Sequence, residues 1–107
     1  MLSRINRLPS SEISRVMRYG KRVIGETLQI VVQKNEADVS RFAITISTKI
    51  DKRATRRVRM RRLIRESIRH LLPRFQTPTD YIFIVKKNFR EKLQTEIEEI
   101  VAELLKL

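Results

Sequence analysis

The sequence predicts a single α/β domain, and three observations lead to this prediction. The chain has 107 residues, enough for one hydrophobic core but too few for two domains of ordinary size. Three β-branched apolar segments alternate with stretches whose apolar residues have helical spacing. No internal repeat and no run rich in Pro, Gly or Ser divides the chain. We therefore expect residues 1–107 to form one domain.

The first predicted element is a helix over residues 10–19. A serine hydroxyl at Ser10 can cap free backbone amides, and Glu12 suits the positive end of the helix dipole. Gly20 is expected to end the helix in a left-handed conformation. The apolar face of this helix consists of Ile13, Val16 and Met17.

Strands are predicted at residues 27–33, 41–47 and 80–85, with a short extra strand at 21–24. The polar segment between the first two segments resembles a hairpin connection, so these two strands are expected to pair antiparallel. The segment 80–85 is continuously apolar, which predicts burial on both faces.

The last predicted element is a helix that starts near Asn88. Its acidic residues fall mostly away from the apolar stripe, and we expect that stripe to pack on the sheet. The stripe consists of Phe89, Leu93, Ile97, Ile100, Val101 and Leu104.

The middle of the chain concentrates positive charge. Residues 49–65 contain nine Lys or Arg and one acid, Asp51, and so contribute +8 of the formal net charge of +12. Residues 56–65, RRVRMRRLIR, include six arginines. At about 100° per residue this stretch forms an amphipathic helix. Its apolar side holds Met60, Leu63, Ile64, Ile68 and Leu71, and its outer side holds Arg59, Arg61, Arg62, Arg65 and Arg69.

Closely spaced like charges repel one another, so this helix face is expected to bind a polyanion. Arginine pairs with phosphate oxygens and stacks on bases. If about five arginines contact phosphates, the log–log slope of affinity against salt should be roughly −4. The buried side lacks the Trp or Phe of a membrane-surface helix. The outer side lacks the Asn, Gln, Ser and Thr typical of a DNA recognition helix, which favours structured RNA over DNA or membrane.

The remaining composition gives no sign of another chemistry. The chain has no cysteine, two glycines, one histidine and no glycine-rich phosphate loop, and we expect no catalytic residue on the protein. No apolar run is long enough to span a bilayer and no signal peptide is visible, so a cytoplasmic location is expected.

Four stretches together resemble the protein subunit of bacterial ribonuclease P. RLPSSEISRVMRYGKRV is similar to that family's opening, and ATRRVRMRRLIRE is similar to its arginine signature. RFAITISTKI resembles the family's strand Arg-Phe-Gly-hydrophobic-Ser-Val-Ser-Lys-Lys, and DYIFIVKK resembles its Asp-Tyr-hydrophobic strand that ends in Ala-Arg-Lys. In this chain Val58 stands where the family has Asn, and Ile13 and Met17 stand where it usually has Phe. Ala43 and Thr48 replace Gly and Lys.

The resemblance supports two sets of site residues. By position, Arg57, Arg59, Arg61, Arg62 and Arg65 match the basic positions of the family's arginine signature. With the neighbouring cations that the charge pattern adds, the expected RNA-binding residues are Lys49, Lys52, Arg53, Arg56, Arg57, Arg59, Arg61, Arg62, Arg65 and Arg69. The expected cleft for the 5′ leader of precursor tRNA is lined by Ile13, Met17, Val31, Ser47 and Lys86, with Lys49 nearby. With fewer aromatic side chains, this cleft offers less base stacking than usual in the family.

The resemblance also implies a fold and a function. The fold is a two-layer α/β sandwich whose small mixed sheet contains a left-handed strand–helix–strand crossover, flanked by N- and C-terminal helices. This type is shared with the second domain of a small-subunit ribosomal protein. The function is removal of the 5′ leader from precursor tRNA, together with a ribonuclease P RNA that carries the catalytic site and its Mg²⁺. A ribosomal-type RNA-scaffold protein and a self-sufficient nuclease remain the alternatives.

Overall fold

The computed structural model of the chain describes residues 3–75 and 78–107. The elements are α1 (Ser10–Tyr19), β1 (Lys21–Ile24), β2 (Leu28–Lys34), β3 (Arg41–Thr45), α2 (Ala54–Leu71), β4 (Thr79–Val85) and α3 (Gln94–Leu105), with 3-10 turns at Arg4–Asn6 and Leu72–Arg74. In the described part of the chain, no helix is both long and apolar enough to cross a bilayer.

The strands form one mixed sheet in the order β1-β2-β4-β3. β4 pairs antiparallel with β2 and parallel with β3, and α2 connects the two parallel strands. The predicted hairpin pairing of β2 with β3 is therefore wrong. β4 lies between β2 and β3. Its side chains are apolar and buried almost throughout, and a strand of this kind is best accommodated in the centre of a sheet, where both of its faces are covered. The α/β fold class and the short strand β1 are confirmed; the handedness of the crossover stays a prediction.

One face of the sheet packs against α2 and α3. The α2 side chains that were predicted to face inward are buried there, apart from Leu63, which is partly exposed. Four rings pack together at this layer, and Phe42 stacks on Tyr81 with centroids 5.3 Å apart. The core of this face includes Leu28, Ile30, Phe42, Phe75, Tyr81, Phe83, Met60, Ile64, Ile68, Ile97 and Val101.

The opposite face is covered by α1 over only part of its area. Val16 packs with Val31 and Ile82 in a small separate cluster. This arrangement follows from the alternation of side chains along a strand, since Val31 and Ile82 point away from their neighbours Ile30 and Phe83.

The ends of α1 differ from the sequence prediction, although its bounds are confirmed. Pro9 occupies the N-cap position and no side chain caps the helix. Gly20 is extended, with φ −72° and ψ 155°, so the left-handed ending is wrong. Glycine is needed there for space: a Cβ would lie 2.6 Å from both the Val16 carbonyl oxygen and Val31 Cγ1.

The C-terminal helix begins later than predicted. Residues 88–93 are not helical. α3 starts at Gln94, where the Glu96 carboxylate accepts a hydrogen bond from the Leu93 amide at 3.0 Å. Leu93 is 66% exposed and does not belong to the apolar stripe. Phe89 is buried although it lies before α3 and not within it. Its large side chain reaches the core from non-helical backbone.

Candidate nucleic-acid interface

The cationic surface of the molecule is the outer side of α2 together with the loop before it. We call this surface the α2 arginine face; its members are Lys49, Lys52, Arg53, Arg56, Arg57, Arg59, Arg61, Arg62, Arg65 and Arg69. All ten side chains are exposed or partly exposed. Among the described residues, only Arg69 of this set forms an ion pair, with Glu66 at 2.8 Å. Most of the positive charge on this face is therefore not neutralised within the protein.

The loop before α2 is fixed by Asp51. Its carboxylate accepts hydrogen bonds from the Arg53 amide at 3.0 Å and from Asn88 Nδ2 at 2.8 Å. The hydrogen bond from the Arg53 amide is the main reason that the pKa of Asp51 lies below its usual value. Arg57 Nη1 donates to the carbonyl of Asp51 at 2.9 Å. The first turn of α2 is thus tied to the segment after β4.

Three arginines of the face also hold neighbouring backbone. Besides Arg57, Arg59 Nε donates to the carbonyl of Arg90 at 2.8 Å, and Arg61 Nη1 donates to the carbonyl of Ile44 at 3.1 Å. Each guanidinium has five N–H donors, so one such bond leaves donors for a ligand. These bonds restrict the side chains and so reduce the conformational entropy lost on binding.

The arginines of α2 divide between two sides of the helix. Arg61 and Arg65 line a pocket beside β3, whereas Arg59 and Arg62 line a shallow groove beside α3. Partial burial, followed by repulsion from Arg65 and Arg57, lowers the pKa of Arg61. A nearby anion would relieve this repulsion.

The cleft beside α1 is built from one uncovered row of the sheet. Pairing places Ile24, Gln29, Ile84 and Thr45 side by side across all four strands, on the same face as α1. The α1 residues Ile13 and Met17 are partly buried against this edge of the small cluster, which also includes Ile84. We call this row, with its α1 wall, the sheet cleft.

Of the residues predicted to line the cleft, four are at least partly exposed and one is fully buried. Val31 is fully buried beneath α1, so the prediction that it contacts a ligand is wrong; it supports the wall instead. Ser47 and Lys86 are exposed just past the C-terminal ends of β3 and β4. Parallel strands end at the same edge of a sheet, so the sheet cleft opens toward Lys86 and the loop that precedes α2. The sequence analysis missed Gln29, Thr45 and Ile84, which only the strand register identifies.

The position of α1 is set by a buried ionic cluster that the sequence analysis also missed. Asp80 is fully buried at the start of β4. Its carboxylate accepts two hydrogen bonds from Arg41, at 2.8 and 2.9 Å, one from Arg15 at 2.8 Å and one from Asn35 at 2.7 Å. Glu12 joins both arginines, with Arg41 Nη1 at 2.6 Å. The available signal was an acid at the start of an otherwise apolar strand.

The electrostatics of this cluster favour its ionised form. Burial alone would raise the pKa of Asp80, but hydrogen bonds from Arg41, Arg15 and Asn35 outweigh burial and hold that pKa below 3.8. The hydrogen bonds that Arg41 donates to Asp80 and to Glu12 raise the pKa of Arg41. Arg15 also contacts Gln33, so α1 is bound to the sheet through charge as well as through Val16.

Within residues 3–75 and 78–107, no three His, Asp or Glu side chains lie close enough to hold a metal ion together. His70 lies at the end of α2. Its Nδ1 is 3.2 Å from Glu98 Oε2 and 3.1 Å from the side-chain nitrogen Nε2 of Gln94. These contacts connect α2 with α3.

The chain matches known proteins over nearly its whole length. The sequence profile of the family described as Ribonuclease P matches residues 2–107 of this chain. The ribonuclease P protein component of Clostridioides difficile is 31% identical over 97 residues, which cover 90% of this chain and 84% of that protein. The corresponding protein of Clostridium novyi is 35% identical over 89% of this chain and 85% of its own length.

Solved structures agree. The Thermotoga maritima ribonuclease P protein, in complex with 1-(4-fluorophenyl)-2-thiourea, superposes with a TM-score of 0.84 at 27% identity, covering 94% of this chain and 97% of that one. The Staphylococcus aureus protein has the same fold, with a TM-score of 0.83 at 22% identity, covering 94% of this chain and 93% of its own. With a sequence match from residue 2 to residue 107 and a shared sheet and helix arrangement, this chain belongs to the ribonuclease P protein family.

Proposed function

We propose that this protein binds a ribonuclease P RNA through the α2 arginine face and holds the 5′ leader of precursor tRNA in the sheet cleft. The observation that carries the proposal is the location of unneutralised arginines on a helix whose opposite side is core. Family membership supports the choice of RNA partner. The expected result is endonucleolytic 5′ maturation of tRNA by a ribonucleoprotein in the cytoplasm, where precursor tRNA is made.

The binding of RNA by the α2 arginine face would be mainly electrostatic. Arginines along exposed helical turns can each contact a phosphate, and this mode reads the shape of the backbone rather than the bases. Val58, which stands where the family has Asn, is 45% exposed on this face. It offers no hydrogen bond to RNA, so the contact there depends on its arginine neighbours.

The sheet cleft suits a single strand of RNA. Ile13, Met17 and Ile84 provide an aliphatic surface, and Gln29 and Thr45 add groups able to form hydrogen bonds. At the open end, Lys86 and Lys49 offer positive charge for the backbone. Aliphatic contact replaces base–aromatic stacking, which predicts a weaker hold on the leader than an aromatic cleft would give.

The proposal assigns the hydrolysis to the RNA partner. Mg²⁺ bound by that RNA would activate water and stabilise the leaving oxygen. The protein would neutralise phosphates so that the catalytic RNA and its substrate can approach, and would fix the position of the leader.

Reconstitution tests the proposal. Purified protein is added to the ribonuclease P RNA of the same source, and precursor tRNA cleavage is followed at low Mg²⁺, with protein alone and RNA alone as controls. We expect strong stimulation by the protein and no cleavage without the RNA. Unchanged cleavage, with binding no tighter than to a ribosomal RNA fragment, would favour an RNA-scaffold protein. Cleavage by protein alone would favour a self-sufficient nuclease.

A further inference from the structure

A second binding feature lies at the outer edge of β3, between the N-terminal 3-10 turn and α2. We call it the β3-edge pocket. It has a volume of about 220 Å³, and Arg7, Arg61 and Arg65 line it together with Ser3, Ala43 and Ile44. Arg7 was not among the residues that the sequence analysis assigned to RNA binding. It comes from a different part of the chain, and it lines the same pocket as the two arginines of α2.

The wall that carries Arg7 is fixed to the sheet. The Leu8 amide donates to the Phe42 carbonyl at 2.9 Å, and the buried Asn6 side chain donates to the Ser40 carbonyl at 2.9 Å. Arg7 itself forms a parallel bridge with Phe42. The backbone on this side of the pocket is therefore in place before any ligand arrives.

The opposite wall is fixed through Arg61. Its Nη1 donates to the Ile44 carbonyl at 3.1 Å, on the outer edge of β3. Among the described residues, no protein acceptor takes its other guanidinium donors. The head group is thus held at the pocket while most of its donors remain available.

The charges in the pocket are uncompensated. The lining contains three arginines and no Asp or Glu. None of the three forms an ion pair within the described ranges, unlike Arg15 and Arg41 on the other face of the sheet. Arginine guanidinium groups pair well with phosphate oxygens, so a small concave space lined by three arginines and no acid favours a phosphate as its ligand.

We propose that the β3-edge pocket binds a phosphate of an RNA backbone, held by Arg7, Arg61 and Arg65 together. This deepens the proposed function, on which it rests only for the identity of the RNA. A volume of about 220 Å³ lies below the 300–1,000 Å³ typical of sites for whole organic ligands. A phosphate and part of its sugar fit within this volume.

The first test compares Arg7→Gln with the matched control Arg4→Gln in the full-length chain. Arg4 lies in the same turn and is exposed, but it does not line the pocket. Affinity for the ribonuclease P RNA of the same source is measured over a range of salt concentrations. We expect Arg7→Gln to weaken binding about three- to tenfold and to reduce the log–log salt slope by roughly 0.7–0.9, the value for one phosphate contact. Equal effects of the two variants would overturn the proposal.

A double-mutant cycle then asks whether the arginines share one ligand. If Arg7 and Arg65 hold the same phosphate, Arg7→Gln with Arg65→Gln should lose less affinity than the sum of the single losses. Arg7→Gln with Arg62→Gln should be additive, because Arg62 faces α3. Additivity in both cycles would overturn the shared site. Arg7 and Arg65 are exposed, so unchanged thermal unfolding is expected for all variants.

Two further experiments separate the phosphate pocket from the proposed ribonuclease P function and from a site for free phosphate. The salt slopes are repeated on an unrelated structured RNA, because phosphate contacts carry no sequence information. A smaller slope for Arg7→Gln on both RNAs supports the pocket even if wild-type protein fails to stimulate cleavage, which would refute only the proposed function. Inorganic phosphate is titrated while the arginine Nε–H resonances are followed by NMR. Saturation of Arg7 and Arg61 at low millimolar phosphate would indicate a site for the free anion and overturn the assignment to RNA.

Discussion

The arginines of this protein occupy two environments. On the α1 side of the sheet, Arg41 and Arg15 bind the buried carboxylate of Asp80, and Glu12 completes the cluster. On the other side, the α2 arginine face carries its charges with Arg69 alone in an ion pair among the described residues. Arginine therefore has two different roles in this protein. Paired within the chain it fixes α1 to the sheet, and unpaired at the surface it is available to an external anion.

The difference shows that the number of arginines does not by itself indicate binding. What distinguishes the two groups is whether an acid of the same chain lies within reach once the chain has folded. Asp80 is 65 residues from Arg15 and 39 from Arg41 in the sequence. Because such partners are distant along the chain, the paired arginines look no different in the sequence from the unpaired ones.

The largest expected effect comes from removing the shared carboxylate. Asp80→Asn leaves Arg15 and Arg41 without their buried partner, and breaking a buried ion pair on one side typically costs 3–5 kcal/mol. We expect the free energy of unfolding in urea to fall by about 3 kcal/mol. Asp38→Asn, at an exposed aspartate of the β2–β3 loop, is the control and should change it by less than about 0.5 kcal/mol. Similar losses in the two variants would show that the cluster does not stabilise the fold.

The second effect concerns the unpaired group. Replacing Arg61, Arg62 and Arg65 with Gln should weaken RNA binding about tenfold or more and reduce the log–log salt slope by roughly 2–3, because three phosphate contacts are lost. The free energy of unfolding should stay the same or rise, since repulsion between like charges is relieved. A control with equal loss of charge replaces the exposed Arg4, Arg18 and Arg74 with Gln. Equal loss of affinity in both triple variants would mean that only net charge matters.

A smaller effect is the pH dependence of stability. The pKa of Asp80 is lower in the folded protein than its usual 3.8, so its stabilisation is present above that pH and is lost as the pH falls through the folded-state pKa. The difference in unfolding free energy between wild type and Asp80→Asn should be constant near neutral pH and shrink below about pH 4. Urea denaturation at several pH values measures it. A difference that does not change down to pH 2 would contradict the assignment to Asp80.

The smallest effect concerns α1, which forms one wall of the sheet cleft and is fixed to the sheet by Arg15 and Arg41. Met17→Phe restores an aromatic at a partly exposed position of α1, beside the sheet cleft. Base–aromatic stacking contributes about 1–3 kcal/mol per base, and we expect the lower end, a severalfold gain in affinity for precursor tRNA by the reconstituted enzyme. Leaderless tRNA is the control. An equal gain for both RNAs would show that Met17 does not contact the leader.

Several elements could be predicted because their signals are local. The bounds of α1, the existence of β1, the buried strand β4 and the two sides of α2 follow from the periodicity of apolar residues. Pairing depends on distant segments, and so the antiparallel neighbour of β2 proved to be β4 rather than β3. Likewise, the role of Gly20 depends on Val31, which approaches it only in the folded chain.

By itself, the sequence determined the amphipathic cationic helix and the order of helices and strands, since these depend on composition and short-range spacing. It also indicated the family, through four stretches that resemble known members. Only the tertiary structure decided which arginines are neutralised, which row of the sheet stays uncovered and that Arg7 lines one pocket with Arg61 and Arg65. The physical reason is that ion pairing, burial and register depend on distances of a few ångströms between residues far apart in the chain. Those distances exist only once α1, β3 and α2 have packed on β4.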